Sequence, residues 1–427
     1  MSTYRSRALE IDARSVIYCR RKPNGMNTRR INGGPSMKKP TIRSAPSLAG
    51  LVFMFIALGC NDRGTVIDAG PEGDGLFYTV AGQPQEPGND GDGGPAANSY
   101  LYWPVDMTPL PSGELLIVDF NNHRIRKIGT DGVINNFIGS GFLGDDRKGD
   151  ASALDLNHPT EIRVGPNGNY WIATYHNWCL KEIDASTMTL VRFIGDTARG
   201  YRGDGGLITA VPRPQFDLPS SLVFDPAGLI YVMDQGNTRV RKIDLQTGVL
   251  SLFVGGTRGD DDGVGPAAQF AFPGAETVGD GDRGGGMDLG PNGEDIYVAD
   301  TENNKIRKIN IPTQTVTTIA GTGEPGWEGD GGPALSAQFS YPADLACAAN
   351  GDIYVADTHN HVVRKIDAAT GIVTTVAGTG LPGVSPDGTP AASAKLNQPF
   401  GLAFDRETNT LYIADTFNHQ VKKVRNP

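Results

Sequence analysis

From residue 76 onward the hydrophobic positions come in short bursts rather than long stripes. ELLIVD (from Glu114), YWIAT (from Tyr170), LIYVMD (from Leu229), DIYVAD (from Asp295 and again from Asp352) and TLYIAD (from Thr410) place apolar residues at consecutive positions. Each is followed, across a polar turn, by a run such as RIRKI, CLKEI, RVRKI, KIRKI, VVRKI or QVKKV. Bursts of this length bounded by Asp, Asn and Gly read as strands joined in hairpins. In the IYVA segment, Ile353 and Val355 point to one face, and Tyr354 and Ala356 to the other. A sheet with one wet face would alternate polar and apolar, so these sheets are covered on both sides.

The residue ending the first hairpin strand is Asp119, Thr174, Asp234, Asp300, Asp357 or Asp415, so the unit recurs every 55–66 residues. Self-similarity at that period marks a repeat architecture and overrides counting domains from length. Two further runs complete a unit. One opens on proline (Pro104, Pro159, Pro219, Pro273, Pro342, Pro399), where a missing N–H costs little. The other ends on glycine (Gly82, Gly139, Gly195, Gly255, Gly321, Gly378). The expected fold is all-β: a six-bladed β-propeller of four-stranded antiparallel blades over residues 76–427. The sixth unit lacks its fourth strand, and LFYTVAG at 76–82 repeats IVTTVAG at 372–378. That N-terminal strand is predicted to pair with Gln420–Val424 and close the ring, which protects edges otherwise left open.

Composition adds a compartment. The chain of 427 residues has formal charge −10, yet its first 60 residues hold 11 basic and two acidic groups. The remainder therefore carries 27 basic against 46 acidic groups, a body that repels phosphate backbones, and nucleic acid is excluded as a partner. Residues 48–59 (LAGLVFMFIALG) are apolar but too few to span a bilayer as a helix. With Lys38, Lys39 and Arg43 ahead and Cys60 behind, they read as an export signal over 37–60, translation starting at Met37. Residues 1–36 then form a leader outside the fold, and 61–75 a tether. Ala57-Leu58-Gly59-Cys60 resembles a bacterial lipobox, although Ala57 stands where the motif places leucine. The resemblance implies acylation of Cys60, with the protein an envelope lipoprotein or secreted, touching membrane only through that anchor. Cys179 and Cys347 fall in different blades at unmatched positions and are expected to be free buried thiols.

The D-x-x-N-x-[VI]-R-K-I pattern, with TVAG and GDGGPA segments between copies, resembles NHL repeats. The likeness is to the long, loop-bearing kind of secreted bacterial and teneurin-like proteins, and it covers residues 76–427. It implies the propeller. It does not select a function, because such repeats serve binding scaffolds, sensor domains and a few enzymes.

Candidate chemistry is weighed against repetition. Asp119, Asp234, Asp300, Asp357 and Asp415 each stand three residues before an asparagine, the arrangement of a turn-stabilising pair, and read as structural. His123, His361 and His419 share one repeat position, and His176 and His359 another, in a turn between outer strands, which argues against a metal centre. In Arg126-Lys127 and its counterparts, one member is expected to meet the aspartate across the hairpin as a surface pair of about 0–1 kcal/mol. The acidic glycine loops admit two readings, an Asp-initiated turn leading into PAA or a calcium site using Asp90, Asp92, Asp260, Asp262 and Asp330. Calcium is the only cofactor the sequence leaves open.

Recognition is expected where a repeat departs from its own pattern. The second unit has Thr174 in place of aspartate and gathers Tyr170, Trp171, Tyr175 and Trp178, an aromatic platform for a ligand or packing between blades. The fourth unit carries an insertion around TVGDGDRGGGMD (277–288), offering Asp280, Asp282 and Arg283 near a mouth of the channel. The resulting expectation is a non-catalytic binding or scaffold propeller at the bacterial cell envelope, recognising a protein or a glycan. The competing expectation is a calcium-dependent hydrolase or lyase, lactonase-like, with its site at the propeller axis. That enzyme needs polar residues from several inner strands converging at one depth, and ADLACAANG and GLAFDRETN read as lacking them.

Overall fold

A computed structural model describes residues 73–427 apart from Thr197 and residues 275–282. The expectations for residues 1–36, the signal at 37–60, Cys60, nearly all of the tether, and Asp280 and Asp282 concern residues outside that range. Within it, six antiparallel sheets follow one another as blades of a closed ring, each running from an inner to an outer strand. The inner strands are Pro104–Pro109, Pro159–Val164, Pro219–Phe224, Met287–Leu289, Pro342–Cys347 and Pro399–Asp405. Among the described residues only 3₁₀ turns interrupt the strands, and no helix is long and apolar enough to cross a membrane.

Two-sided apolar strands give this arrangement its core. Between the first two blades, Val118 and Ile125 meet Ile162 and Ile172, all buried. Between the third and fourth, Tyr231 and Met233 meet Ile296 and Val298. A cluster of this kind fills each gap between neighbouring blades, including the one between the sixth and first, where Ala414 and Val421 pack on Met107 and Ile117. Cys179 and Cys347 are buried and unpaired, and burial pushes the Cys179 thiol up to about 12.

Every hairpin between the second and third strands turns the same way. A 3₁₀ turn follows the aspartate or threonine, and the next residue is left-handed: His123, Trp178, Thr238, Asn304, His361 and His419 have φ between 51° and 58°.

Four blades have five strands rather than the expected four. The glycine loop before the inner strand adds a two-residue strand along the outer edge of its own blade, as Gly94–Pro95 does on Val133–Ile138. That pairing satisfies an edge that would otherwise face solvent. The ring closes as the repeat arithmetic predicts. Leu76–Ala81 pairs antiparallel with Gln420–Arg425, with Phe77 opposite Val424 and Tyr78 opposite Lys423.

Candidate functional site

The repeated polar residues act inside their own blades. Asp119 accepts from Tyr102 N at 2.7 Å and from Asn122 Nδ2 at 2.8 Å, and Asn122 also donates to Gly88 O at 2.6 Å. The same three bonds recur at Asp234, Asp300, Asp357 and Asp415, each fully buried. They fasten the hairpin to the loop that feeds the inner strand. The basic partner is not at the surface as expected. Arg126, Arg241, Arg307 and Arg364 are fully buried, each between the hairpin aspartate and an aspartate of the glycine loop. Arg307, for example, lies 2.6 Å from Asp300 and 2.9 Å from Asp262.

This pairing also accounts for the acidic loops. Asp92, Asp262 and Asp330 hold Arg126, Arg307 and Arg364, and Asp260 pairs with Lys305 at 2.7 Å. Asp90 receives Tyr100 N through its carbonyl. The carboxylates named for calcium thus fall in three loops of three blades, and among the described residues no three His, Cys, Asp or Glu side chains are grouped to hold a metal.

The histidines link blades. The Nδ1 atoms of His123, His361 and His419 face the backbone N–H of His158, Gln398 and Trp103 in the next blade, at 3.0–3.4 Å. Burial lowers the pKa of all three, which keeps Nδ1 free to accept. His158 stacks edge-on between His123 and His176, and burial, reinforced by those neighbours, pushes it down to about 3.

Of the four aromatics of the second unit, two are taken up in packing between blades and two are partly exposed. Trp171 and Tyr175 are buried, Trp171 against Phe224 of the third blade, Tyr170 packs edge-on to Phe137, and Trp178 occupies the left-handed turn position. Tyr170 and Trp178 stay partly exposed, while two-sided coverage of the blade buries Trp171 and Tyr175. Arg283 likewise turns inward rather than outward. It is buried, with Nη1 on Thr160 O at 3.1 Å and Nη2 on Val105 O at 3.0 Å, so it lies across the axis onto the first two blades.

What it meets there is the site that the sequence reading missed. Two residues after each opening proline stand Asp106, Glu161, Ser221, Asp344 and Gly401, and Gly286 takes this place in the fourth blade. Each side chain that can accept does so from the following blade's inner strand. Asp106 takes Ile162 N, Glu161 takes Leu222 N, Ser221 takes Met287 N and Asp344 takes Leu402 N, at 2.5–3.1 Å. Glycine holds the other two places because the backbones are too close for a side chain. A Cβ on Gly401 would sit 2.0 Å from Val105 O, and one on Gly286 would sit 2.1 Å from Asp344 Oδ1.

Asp106, Glu161, Asp344, Ser220 and Arg283 surround a cavity of about 20 Å³, room for one water molecule and no organic ligand. Burial raises all three carboxyls, Asp344 up to about 7 with help from the charge of Asp106. Arg163 faces them from the other side. Burial opposes its charge, but Glu161 and Asp106, the latter at 3.2 Å, hold it protonated. Beyond Arg163 the channel widens to a second cavity of about 240 Å³, walled by Leu289, Leu345, Leu402 and Phe404 with Arg163, Asp288 and Arg406. The signal for this ring was present as P-x-[DE] in PVD, PTE and PAD. The expectation that ADLACAANG lacks an inward polar residue is corrected by Asp344, whose convergence with Asp106 and Glu161 depends on ring closure.

Comparison with known proteins agrees with the repeat type. Residues 286–385 match the family described as the Teneurin NHL domain. The chain is 30% identical over 300 residues to Protein SUPPRESSOR OF QUENCHING 1, chloroplastic, of Arabidopsis thaliana, covering 66% of this chain and 26% of that protein. It is 29% identical over 293 residues to the human NHL repeat-containing protein 2, covering 61% of this chain and 38% of that one. The chain thus spans well under half the length of these curated relatives. Among solved structures, an auxiliary nutrient binding protein from Bacteroides thetaiotaomicron superposes with TM-score 0.59 at 16% identity, over 82% of this chain and 76% of that one. At that identity the likeness shows the fold. An NHL-type six-bladed propeller is supported by sequence and structure alike.

Proposed function

We propose that this chain is a non-catalytic binding propeller of the bacterial cell envelope, exported and either acylated at Cys60 or secreted, which engages a protein or glycan at one mouth of its axis. The observation that carries the reading is the asymmetry of the channel. Arg283 lies across it and leaves about 20 Å³ at the carboxylate ring, whereas the opposite mouth opens into about 240 Å³. The buried arginines and aspartates of the blades are occupied in holding loops, whereas the mouth is concave and carries Arg163, Asp288 and Arg406 in its wall. Auxiliary nutrient binding proteins of Bacteroides share this fold, which is compatible with a binding role. Crosslinking pull-down from native membranes tests it, comparing the intact protein with Ala403→Leu, which narrows the mouth. Recovery of partners should fall in the variant, and equal recovery would remove the reading.

One observation favours the enzymatic alternative, a calcium-dependent hydrolase or lyase. Three carboxyls with raised pKa gather on the axis, as acid–base sites often require. Under the binding reading, calorimetric titration with calcium gives no heat and no thermal shift. A saturable calcium signal that Asp344→Asn abolishes would favour the enzyme.

A further inference from the structure

The geometry points to the open axial mouth as a site for a small monocarboxylate, its acid group held by Arg406, with Arg163 beside it in the wall, and its body lying on Leu289 and Phe404. This rests on the binding reading above and names the ligand chemistry for that same mouth.

Arg406, just past the inner strand of the sixth blade, reaches over the fifth to the fourth. Its Nε donates to Cys347 O at 2.9 Å and its Nη2 to Leu289 O at 2.7 Å, with Asp288 Oδ2 at 3.7 Å. Those bonds fix the guanidinium plane while the Nη1 edge, with two N–H donors, has no hydrogen-bond partner among the described residues. A guanidinium held in advance binds an oxyanion at little further cost in side-chain entropy. Arg163 lines the same cavity from the second blade. Its Nη1 is used by Asp106, Thr108 and Ile162 and its Nη2 by Glu161, and its side chain keeps 20% exposure, so it adds positive charge to the wall rather than a free donor edge.

Asp288 sets the charge limit. It accepts from Cys347 N at 2.8 Å and lies against Arg406, so a second negative charge on the ligand would meet it. The cavity is smaller than the roughly 300–1,000 Å³ pockets of drug-sized ligands, which matches one sugar-acid unit or a short aromatic acid. Phe404, stacked at 5.1 Å on Tyr354, offers a rigid apolar floor for either.

The test uses the full chain and two pairs of probes that differ chiefly in charge: glucuronate against glucose, and 3-phenylpropionate against 3-phenylpropanol. Titration calorimetry should show at least one acid binding, with its neutral counterpart weaker by about ten-fold or more, the worth of a charge-assisted hydrogen bond. Arg406→Gln should remove most of that difference, and Ala403→Leu should block both members. Which acid binds separates a glycan unit from a small aromatic acid. Should Arg406→Gln fail to fold, the charge preference of the unaltered protein and its loss in high salt carry the test alone. The proposal is overturned if neither acid binds, or if each neutral partner binds as tightly as its acid. In either outcome, partner recovery that still responds to Ala403→Leu in the pull-down would leave the binding reading standing while the ligand class falls.

Discussion

The arginine at the centre of each hairpin repeat shows how much a single side chain can carry here. Arg307 bridges Asp300 and Asp262, donates to the carbonyls of Gln269 and Asp261, and stacks 5.3 Å from the ring centre of Phe270, all without exposure to solvent. Removing it strands two carboxylates, one of them buried. Arg307→Met should therefore cost about 3–5 kcal/mol in urea unfolding, whereas Lys308→Met, on the same strand but half-exposed, should cost under ~1 kcal/mol. Equal effects would show that the arginine is no keystone. At the axis, Asp344 gives a test by pH. Its folded pKa is raised to about 7 against an ordinary 3.8, so the folded state holds a proton that the unfolded state has released. Its contribution is complete below pH 4 and lost as pH rises through 7. Asp344→Asn keeps an acceptor for Leu402 N–H and stays neutral. Thermal melts at pH 5 and pH 8 should show the variant gaining on the parent by about 2–4 kcal/mol at the higher pH. A gap that does not change with pH would refute the shift.

At the scale of elements, strands do the same job six times and differ where the ring needs them to. The inner strands are joined by their own side chains, each acceptor taking the next blade's N–H, and by glycine where two backbones close to contact. The fourth strand of the sixth blade is the one element supplied from the other end of the chain. Leu76–Ala81 buries Phe77 and Ala81 and pairs on one side with Gln420–Arg425 and on the other with Thr389–Pro390. Deleting residues 76–82 should lower the melting temperature of the whole ring, because every blade leans on two neighbours. A truncation that melts where the parent melts would mean the closure is dispensable.

Over the whole molecule, repetition made most of the fold readable. The consecutive apolar positions, the opening prolines and the orphan strand at 76–82 are local features, and their recurrence marks strands, blade number and closure without coordinates. Repetition also exposed the aspartate–asparagine pairs as turn chemistry. Blade faces, the burial of Arg126 and its counterparts, and the inward turn of Arg283 were decided by packing. An Arg-Lys dipeptide looks the same whether its partner loop covers it or not, and an insertion of charge and glycine gives no sign of which way it will fold. The axial carboxylates were the hardest to see. Asp106, Glu161 and Asp344 lie 55 to 238 residues apart in three short strands, and the P-x-[DE] they share does not by itself say that the acids face one another. They become neighbours because six similar sheets close on one axis. Period and polarity along the chain thus determined the architecture, while the convergence of distant strands, a property of the closed ring alone, made the site.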